Sequence, residues 1–432
     1  MHLATIRIIA LHIALAFVAS TTSSAQSYTS FLTGSNVDAD VQPEFGIVLM
    51  GGAGEDDNAM TWFLERVNGG DVVVIRTSGS DGYNNYLYSG LGIDVNSVET
   101  IVFNNASAAT DPYVVQRLQQ AEGIWMAGGN QATYVNFWQG TPVEDAINDL
   151  LNVRGGVVGG ISAGMAVLGG SYFSALNGTV TTEQALANPF AANVTIGHNS
   201  FFNAPYLENV ITDTHYDNPD RRGRHAAFLA RRITDTASPA FGIACDEYGA
   251  VCIDGDGIAR CFGEAPEFDD YVYFVRPACD VPSEPNLCAP DQALDWNHGG
   301  QALKALRINA TADGSQFLDL NDWLNHNGGD WFDWTVSNGV FNEAPGIAPE
   351  CAVSVNETTV EERVAVYPNP AVESIVLNAP IGSLFSVYAM DGRMVLSGIV
   401  REPNMTLGLQ AFKSGVYVVK VDRLPAVRFQ KM

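Results

Sequence analysis

Residues 159–170 read Gly-Gly-Ile-Ser-Ala-Gly-Met-Ala-Val-Leu-Gly-Gly, and Gly160-Ile161-Ser162-Ala163-Gly164 within them is a G-x-S-x-G pattern. The apolar Gly155-Gly156-Val157-Val158 before it has the composition of a short strand, and Ala163–Leu168 that of a helix start. A serine at a sharp strand-to-helix turn exposes its hydroxyl, and small neighbours leave room for the turn. A helix N-terminus behind it favours a developing negative charge. With 42 glycines in the chain, the same residues also fit a plain tight turn, so the partners of the serine decide.

The surrounding segment, 45–170, alternates strand and helix patterns. Strands are predicted at Phe45–Met50, Asp71–Ile75, Val98–Phe103, Gly123–Met126 and Gly156–Gly159. Helices are predicted at Asp57–Val67, Pro112–Gln120, Ala132–Trp138 and Pro142–Leu151, where apolar residues recur at three and four. Continuous apolar strands separated by helices imply an α/β fold, a mostly parallel sheet with helices on both faces. From Phe241 to Phe274 the chain turns to short β runs, and Trp296–Trp334 mixes strand and helix signals.

The ends have other compositions. Residues 1–25 combine a weakly basic start, an apolar Ile8–Ala19 and small residues at Ser23-Ser24-Ala25, the pattern of a signal peptide. The main domain is then 26–350. Residues 351–363, rich in Ser, Asn, Glu and Thr, read as a linker. Residues 364–432 alternate apolar and polar positions between Asp391-Gly392 and Ser414-Gly415 turns, which suggests a small all-β, immunoglobulin-like sandwich.

Six cysteines in an exported protein favour disulfides, and no C-x-x-C pair or histidine cluster suggests a metal. Cys279 and Cys288, around a proline-rich loop, are the favoured pair, and Cys252 and Cys261 flank a hairpin turn they could bridge. The formal charge of −26 argues against nucleic acid or an anionic membrane as partner. Against that background Arg221, Arg222, Arg224, Arg231 and Arg232 form a dense basic cluster.

A serine needs a base. His215 follows the apolar Val210-Ile211 and the polar Thr212-Asp213-Thr214, at a strand end; His198 is its rival. A carboxylate to orient the imidazole is offered by Asp246 or Glu247, at the end of Gly242–Cys245.

The whole pattern resembles the serine peptidase family that includes cyanophycinase and peptidase E. It rests on Met50-Gly51-Gly52-Ala53-Gly54, Gly128-Gly129-Asn130-Gln131, Gly160–Gly164, Asp213-Thr214-His215-Tyr216 and Gly242–Glu247, in that order. The resemblance implies Ser162 as nucleophile, His215 as general base and Glu247 as orienting acid. It implies an oxyanion hole from the backbone of Gly129 and Ala163. Asn130, Gln131, Asp213, Arg222 and Arg224 match the pocket for an aspartyl residue. No cofactor or metal is implied. The departures are an insertion at Asp217–Arg221, Thr214 in place of a glutamine, Ala227 where a third arginine is expected, and an extended stretch around Leu176–Asn199.

The tail resembles the C-terminal sorting domain of the type IX secretion system of Bacteroidetes-type bacteria. It carries Tyr367-Pro368-Asn369-Pro370, Val387-Tyr388 with Gly392-Arg393, Ser414-Gly415-Val416-Tyr417 and a basic end at Arg428–Lys431. Together these imply a serine exopeptidase, secreted or cell-surface attached after passage through the periplasm. Its expected partners are a peptide substrate (Asp-X or β-linked Asp-Arg) and the sorting machinery. The competing readings are a catalytically silent ligand-binding relative and an esterase or amidase with the same residues.

Overall fold

The apolar runs around Ser162 form neighbouring strands because each is buried on both faces. In the computed structural model Gly46–Met50, Asp71–Arg76, Ser97–Phe103, Gly123–Met126 and Val157–Ile161 pair in parallel, in the order 97, 71, 123, 157, 46 by first residue. The structure describes residues 26–351 and 364–432 apart from 380, 391–392, 403 and 422–423. The expected signal peptide, nearly all of the expected linker and the Asp391-Gly392 turn lie outside the described residues. Two units separate between Cys351 and Ala352.

Successive strand residues alternate between two cores. Ile47, Leu49, Val73 and Ile75 join one cluster, while Val48, Met50, Val72 and Val74 join the other. Helix Asp57–Val67 covers the second face with Met60 and Phe63; Pro112–Gln120, Gln131–Trp138 and Pro142–Asp149 cover the first with Leu118, Trp138 and Ile147. Each helix start has a side-chain cap. Asp56, Asp111, Asn130 and Thr141 accept backbone N–H bonds, each worth about 1 kcal/mol, and Pro112 and Pro142 take the first helical position.

The parallel block is less than half of the architecture, which corrects the expectation of a mostly parallel sheet. Tyr28–Gly34 adds to one edge antiparallel, and Ala250–Ile253, Ile258–Phe262, Phe317–Asp319 and His326–Asn327 extend the other edge antiparallel, giving ten strands. The cause is connection length: the Asp254–Gly257 turn closes a hairpin and is far too short for a crossover.

A second, eight-stranded sheet runs Val340–Pro345, Asp330–Ser337, Leu303–Asn309, Tyr271–Pro277, Phe241–Cys245, Val210–Asp213, Ser171–Phe173 and Ile196–His198. The tryptophan-rich stretch Trp296–Trp334 is divided between the sheets, with Leu303–Asn309 and Asp330–Ser337 here and Phe317–Asp319 and His326–Asn327 in the first. Val210–Asp213 and Phe241–Cys245 are parallel, joined by helix Arg222–Thr236, whose Phe228, Leu229 and Ile233 bury against the sheet. The extended stretch near 176–199 contributes the short helix Thr182–Ala187 and the edge strand Ile196–His198.

The C-terminal unit has a three-stranded sheet (Ala365–Tyr367, Ser374–Asn378, Asn404–Gly408) and a four-stranded one (Met394–Ile399, Leu384–Ala389, Gly415–Val421, Leu424–Lys431). Ile375, Leu377, Phe385, Val387, Tyr417 and Val419 share one core.

The disulfide differs from both expected pairs: Cys279 bonds to Cys351, and Cys245, Cys252, Cys261 and Cys288 are free. Cys252 lies opposite Arg260 and Cys261 opposite Val251, so a one-residue offset sends the two thiols to opposite faces of the sheet. Peptide mapping without reductant should recover Cys279 linked to Cys351, with Cys252 and Cys261 alkylated only after unfolding. Recovery of a Cys279–Cys288 peptide would contradict this pairing.

Candidate active site

Five parallel strands from the two sheets end at one place, as ligand sites in α/β sheets do. Met50 is level with Ile161, and Asp213 with Ala244. The residues that follow, Gly51, Ser162, His215 and Glu247, therefore meet, and loop 127–130 joins them from the end of Gly123–Met126.

Ser162 sits at φ 53°, ψ −110°, a strained conformation for a non-glycine residue. The glycines around it are required by contact. A Cβ on Gly160 would lie 2.5 Å from the backbone carbon of Gly164, and one on Gly164 would lie 2.2 Å from the Met126 carbonyl oxygen. The helix behind the serine is one turn, Ala163–Ala166, shorter than the sequence suggested. Stabilisation of an anion here falls to individual N–H groups rather than to a macrodipole. Among the described residues the N–H groups of Gly129 and Ala163 have no hydrogen-bond partner. Loop 127–130 passes close by, since a Cβ on Gly128 would stand 3.8 Å from the Ser162 Cβ.

The serine hydroxyl and His215 Nε2 are 2.8 Å apart, and His215 Nδ1 and Glu247 Oε1 are 2.7 Å apart. A carboxylate at Nδ1 holds the proton on that nitrogen and leaves the Nε2 lone pair facing the hydroxyl. Of the two acids left open, Asp246 and Glu247, it is Glu247 that contacts His215, and their environments differ. The His215 hydrogen bond holds the Glu247 carboxyl below the usual carboxylate range. Burial, with Asp217 nearby, pushes Asp246 up to about 8, and its Oδ1 has no hydrogen-bond partner among the described residues. The environment thus favours the charged form of Glu247 and the neutral form of Asp246.

The rival histidine is occupied elsewhere. His198 Nδ1 contacts Ser171 Oγ at 2.9 Å and its Nε2 contacts Asp235 at 3.2 Å, while Ser171 Oγ also accepts Arg232 Nε. Ser171 is fully buried, so this Ser-His-Asp arrangement ties a sheet edge to a helix.

The expected carboxylate pocket is not open at either arginine, which corrects that assignment. Arg224 is buried and forks onto Asp213, with Nε at 2.8 Å from Oδ2 and Nη2 at 2.5 Å from Oδ1. Burial raises the Asp213 carboxyl, but Arg224 outweighs it and holds the acid low. Arg222 forks onto Asp220 and reaches Glu343 Oε1 at 3.0 Å. Ala227 lies fully buried in the core. Arg221 has no carboxylate partner among the described residues: Nη1 donates to the Thr214 carbonyl at 2.8 Å and Nε is unpartnered. Asn130 caps its helix through Ala132 N–H, and Gln131 reaches only the Phe173 carbonyl, at 3.5 Å.

Sequence reasoning gave no role to Gly51 and Gly52. A Cβ on Gly51 would lie 2.0 Å from the Asp246 carbonyl oxygen, and one on Gly52 only 2.3 Å from His215 Cε1. Their pairing as a Gly-Gly turn after an apolar strand was the available signal. Beside them a cavity of about 500 Å³ is lined by Glu55, Asp56, Asp57, Glu264 and Asp270 with the exposed rings of Tyr248 and Phe268.

Residues 76–260 match the model of peptidase family S51, and residues 365–432 match the secretion system C-terminal sorting domain. Cyanophycinases of Synechococcus elongatus and Thermosynechococcus vestitus are each 26% identical over 229 residues, which covers 50% of this chain and 66% of theirs. Among solved structures, a peptidase from an acI-B1 actinobacterium aligns with TM-score 0.40 at 17% identity, over 54% of this chain and 91% of that one. A putative peptidase E protein from Listeria monocytogenes aligns with TM-score 0.33 at 16% identity, over 51% of this chain and 99% of that one. Residues 76–260 are thus similar to peptidase family S51, and residues 365–432 to a secretion system C-terminal sorting domain.

Proposed function

We propose that the chain is a secreted, cyanophycinase-like serine peptidase that hydrolyses β-linked Asp-Arg through Ser162, His215 and Glu247. The observation that carries this reading is the unbroken hydrogen-bonded run from the Ser162 hydroxyl through His215 to Glu247. His215 Nε2 takes the hydroxyl proton as Ser162 Oγ bonds to the carbonyl carbon. The oxyanion is held by Gly129 and Ala163 N–H. His215 then protonates the leaving amine as the C–N bond breaks, leaving an ester on Ser162. Water, deprotonated by His215, cleaves that ester and returns the proton to Ser162.

The substrate preference is supported by charge. Five carboxylates and two aromatic rings line the cavity that includes Tyr248, the residue after Glu247, and suit a guanidinium, which pairs with the first and stacks on the second. Arg221, without an ion-pair partner among the described residues though Asp213, Glu247 and Asp217 lie within its electrostatic reach, is left to take the aspartyl carboxylate in place of Arg222 and Arg224. The C-terminal unit, read as an immunoglobulin-like sandwich, serves sorting and surface attachment after transit through the periplasm, and takes no part in the chemistry.

Replacing Ser162 or His215 by alanine should each lower turnover on the order of a thousandfold, with little further loss in the double variant. Additive losses would show that the two do not act together. In a panel of β-Asp-Arg, Asp-Ala and neutral dipeptides at fixed ionic strength, β-Asp-Arg should be cleaved fastest; equal rates would remove the charged pocket and leave the serine mechanism. A chain ending just after Cys351, which keeps the Cys279 disulfide, should retain activity yet fail to reach the cell surface in its host. Loss of activity in that folded truncation would assign the tail a part in the site.

A further inference from the structure

The turn Asp217–Arg221, inserted between His215-Tyr216 and helix Arg222–Thr236, touches both partners of the serine. Asn218 N–H donates to the His215 carbonyl at 3.3 Å, and Asn218 Nδ2 donates to Glu247 Oε2 at 3.3 Å. Asp217 Oδ1 accepts the Glu247 backbone N–H at 3.0 Å. The turn is itself held. Arg221 N–H donates to the Tyr216 carbonyl at 2.9 Å, Arg221 Nη1 to the Thr214 carbonyl at 2.8 Å, and Thr182 Oγ1 to the Asp220 carbonyl at 2.9 Å. Asp217 and Asp220 also form an antiparallel bridge across it.

We propose that Asn218 is a positioning residue for the reaction: its amide fixes the Glu247 carboxylate in the plane that His215 requires. The inference rests on the serine-peptidase reading and adds a member to it. The argument is geometric. The last torsion of a glutamate is broad, so a carboxylate held only through Oε1 swings about that bond. The Glu247 side chain is 22% exposed, so packing alone does not stop it. A second donor on Oε2 does, while Asp217 pins the backbone from which the side chain springs. The donor type matters as well. A neutral amide favours the carboxylate form without cancelling its charge, which stays available to an imidazolium at Nδ1. A guanidinium in the same place would compete with His215 for that charge.

The test reads acylation of Ser162 by a fluorophosphonate in the full chain, as kinact and KI, for wild type, Asn218→Ala, Asn218→Asp, Glu247→Gln and the Asn218→Ala/Glu247→Gln pair. Asn218→Ala should lower kinact about tenfold with KI within about twofold, and should cost nothing further once Glu247 is glutamine. Asn218→Asp faces Glu247 with a second carboxylate at neutral pH. Its deficit relative to wild type should be larger there and should shrink on acidification, as the new carboxyl gains a proton to donate. That recovery separates positioning from a folding defect, which acid does not repair. An unchanged kinact in Asn218→Ala, an additive loss in the double variant, or an Asn218→Asp deficit independent of pH would each overturn the proposal. Failure of the probe to label wild type would instead overturn the Ser162 reading, and the positioning role with it.

Discussion

Three consecutive carbonyls hold the site together. Those of Met50, Gly51 and Gly52 accept the backbone N–H groups of Ser162, His215 and Tyr248, the last being next to Glu247. The strand Gly46–Met50 thus ends in a stretch of backbone that reads out its oxygens to the three segments whose side chains meet. Nothing larger than glycine fits at the second and third of these positions, because Gly51 touches the Asp246 backbone and Gly52 lies against the His215 ring. The strain follows from the same constraint. Ser162, His215 and Tyr248 all adopt positive φ, at 53°, 47° and 67°, since each chain must bend sharply at its strand end to present its N–H to this hub.

Much of this was legible because it is local. The helices Asp57–Val67 and Pro112–Gln120 lie at the expected residues, as does the strand Gly123–Met126, where caps, prolines and apolar spacing act within one segment. The order of the motifs brought out Ser162, His215 and Glu247, since each follows an apolar run that becomes a strand. The illegible parts depend on distant residues. Phe317–Asp319 pairs with Ile258–Phe262 across a long gap, and no local pattern distinguishes that from the next hairpin. Cys279 finds Cys351, 72 residues on, past a nearer cysteine whose position follows from tertiary packing.

The arginines make the same point about chemistry. A dense basic cluster in an acidic protein invites reading as an anion site, yet Arg222, Arg224 and Arg231 are each neutralised within the fold. The partner of Arg224, Asp213, is the last residue of a central strand; that of Arg222 includes Glu343, on the edge strand Val340–Pro345. A buried fork such as Arg224–Asp213 contributes little net stability after desolvation, but removing either member strands a charge in the core. Its role is to fix the end of the strand that carries His215. Sequence types the residues correctly, and only the three-dimensional pairing tells which cations remain for a ligand.

The charge balance at the site is not set by the net −26 of the chain, whose field is diffuse and decays within about 10 Å at moderate salt. It comes from contrasts between neighbours. Asp246 and Glu247 are adjacent in sequence, but burial keeps the first protonated while the His215 hydrogen bond keeps the second ionised. One proton thereby stays where it removes repulsion, and one charge stays where an imidazolium needs it. The cavity that includes Tyr248, next in sequence to Glu247, is lined by five carboxylates, and Arg221 donates to the carbonyl of Thr214, the residue before His215.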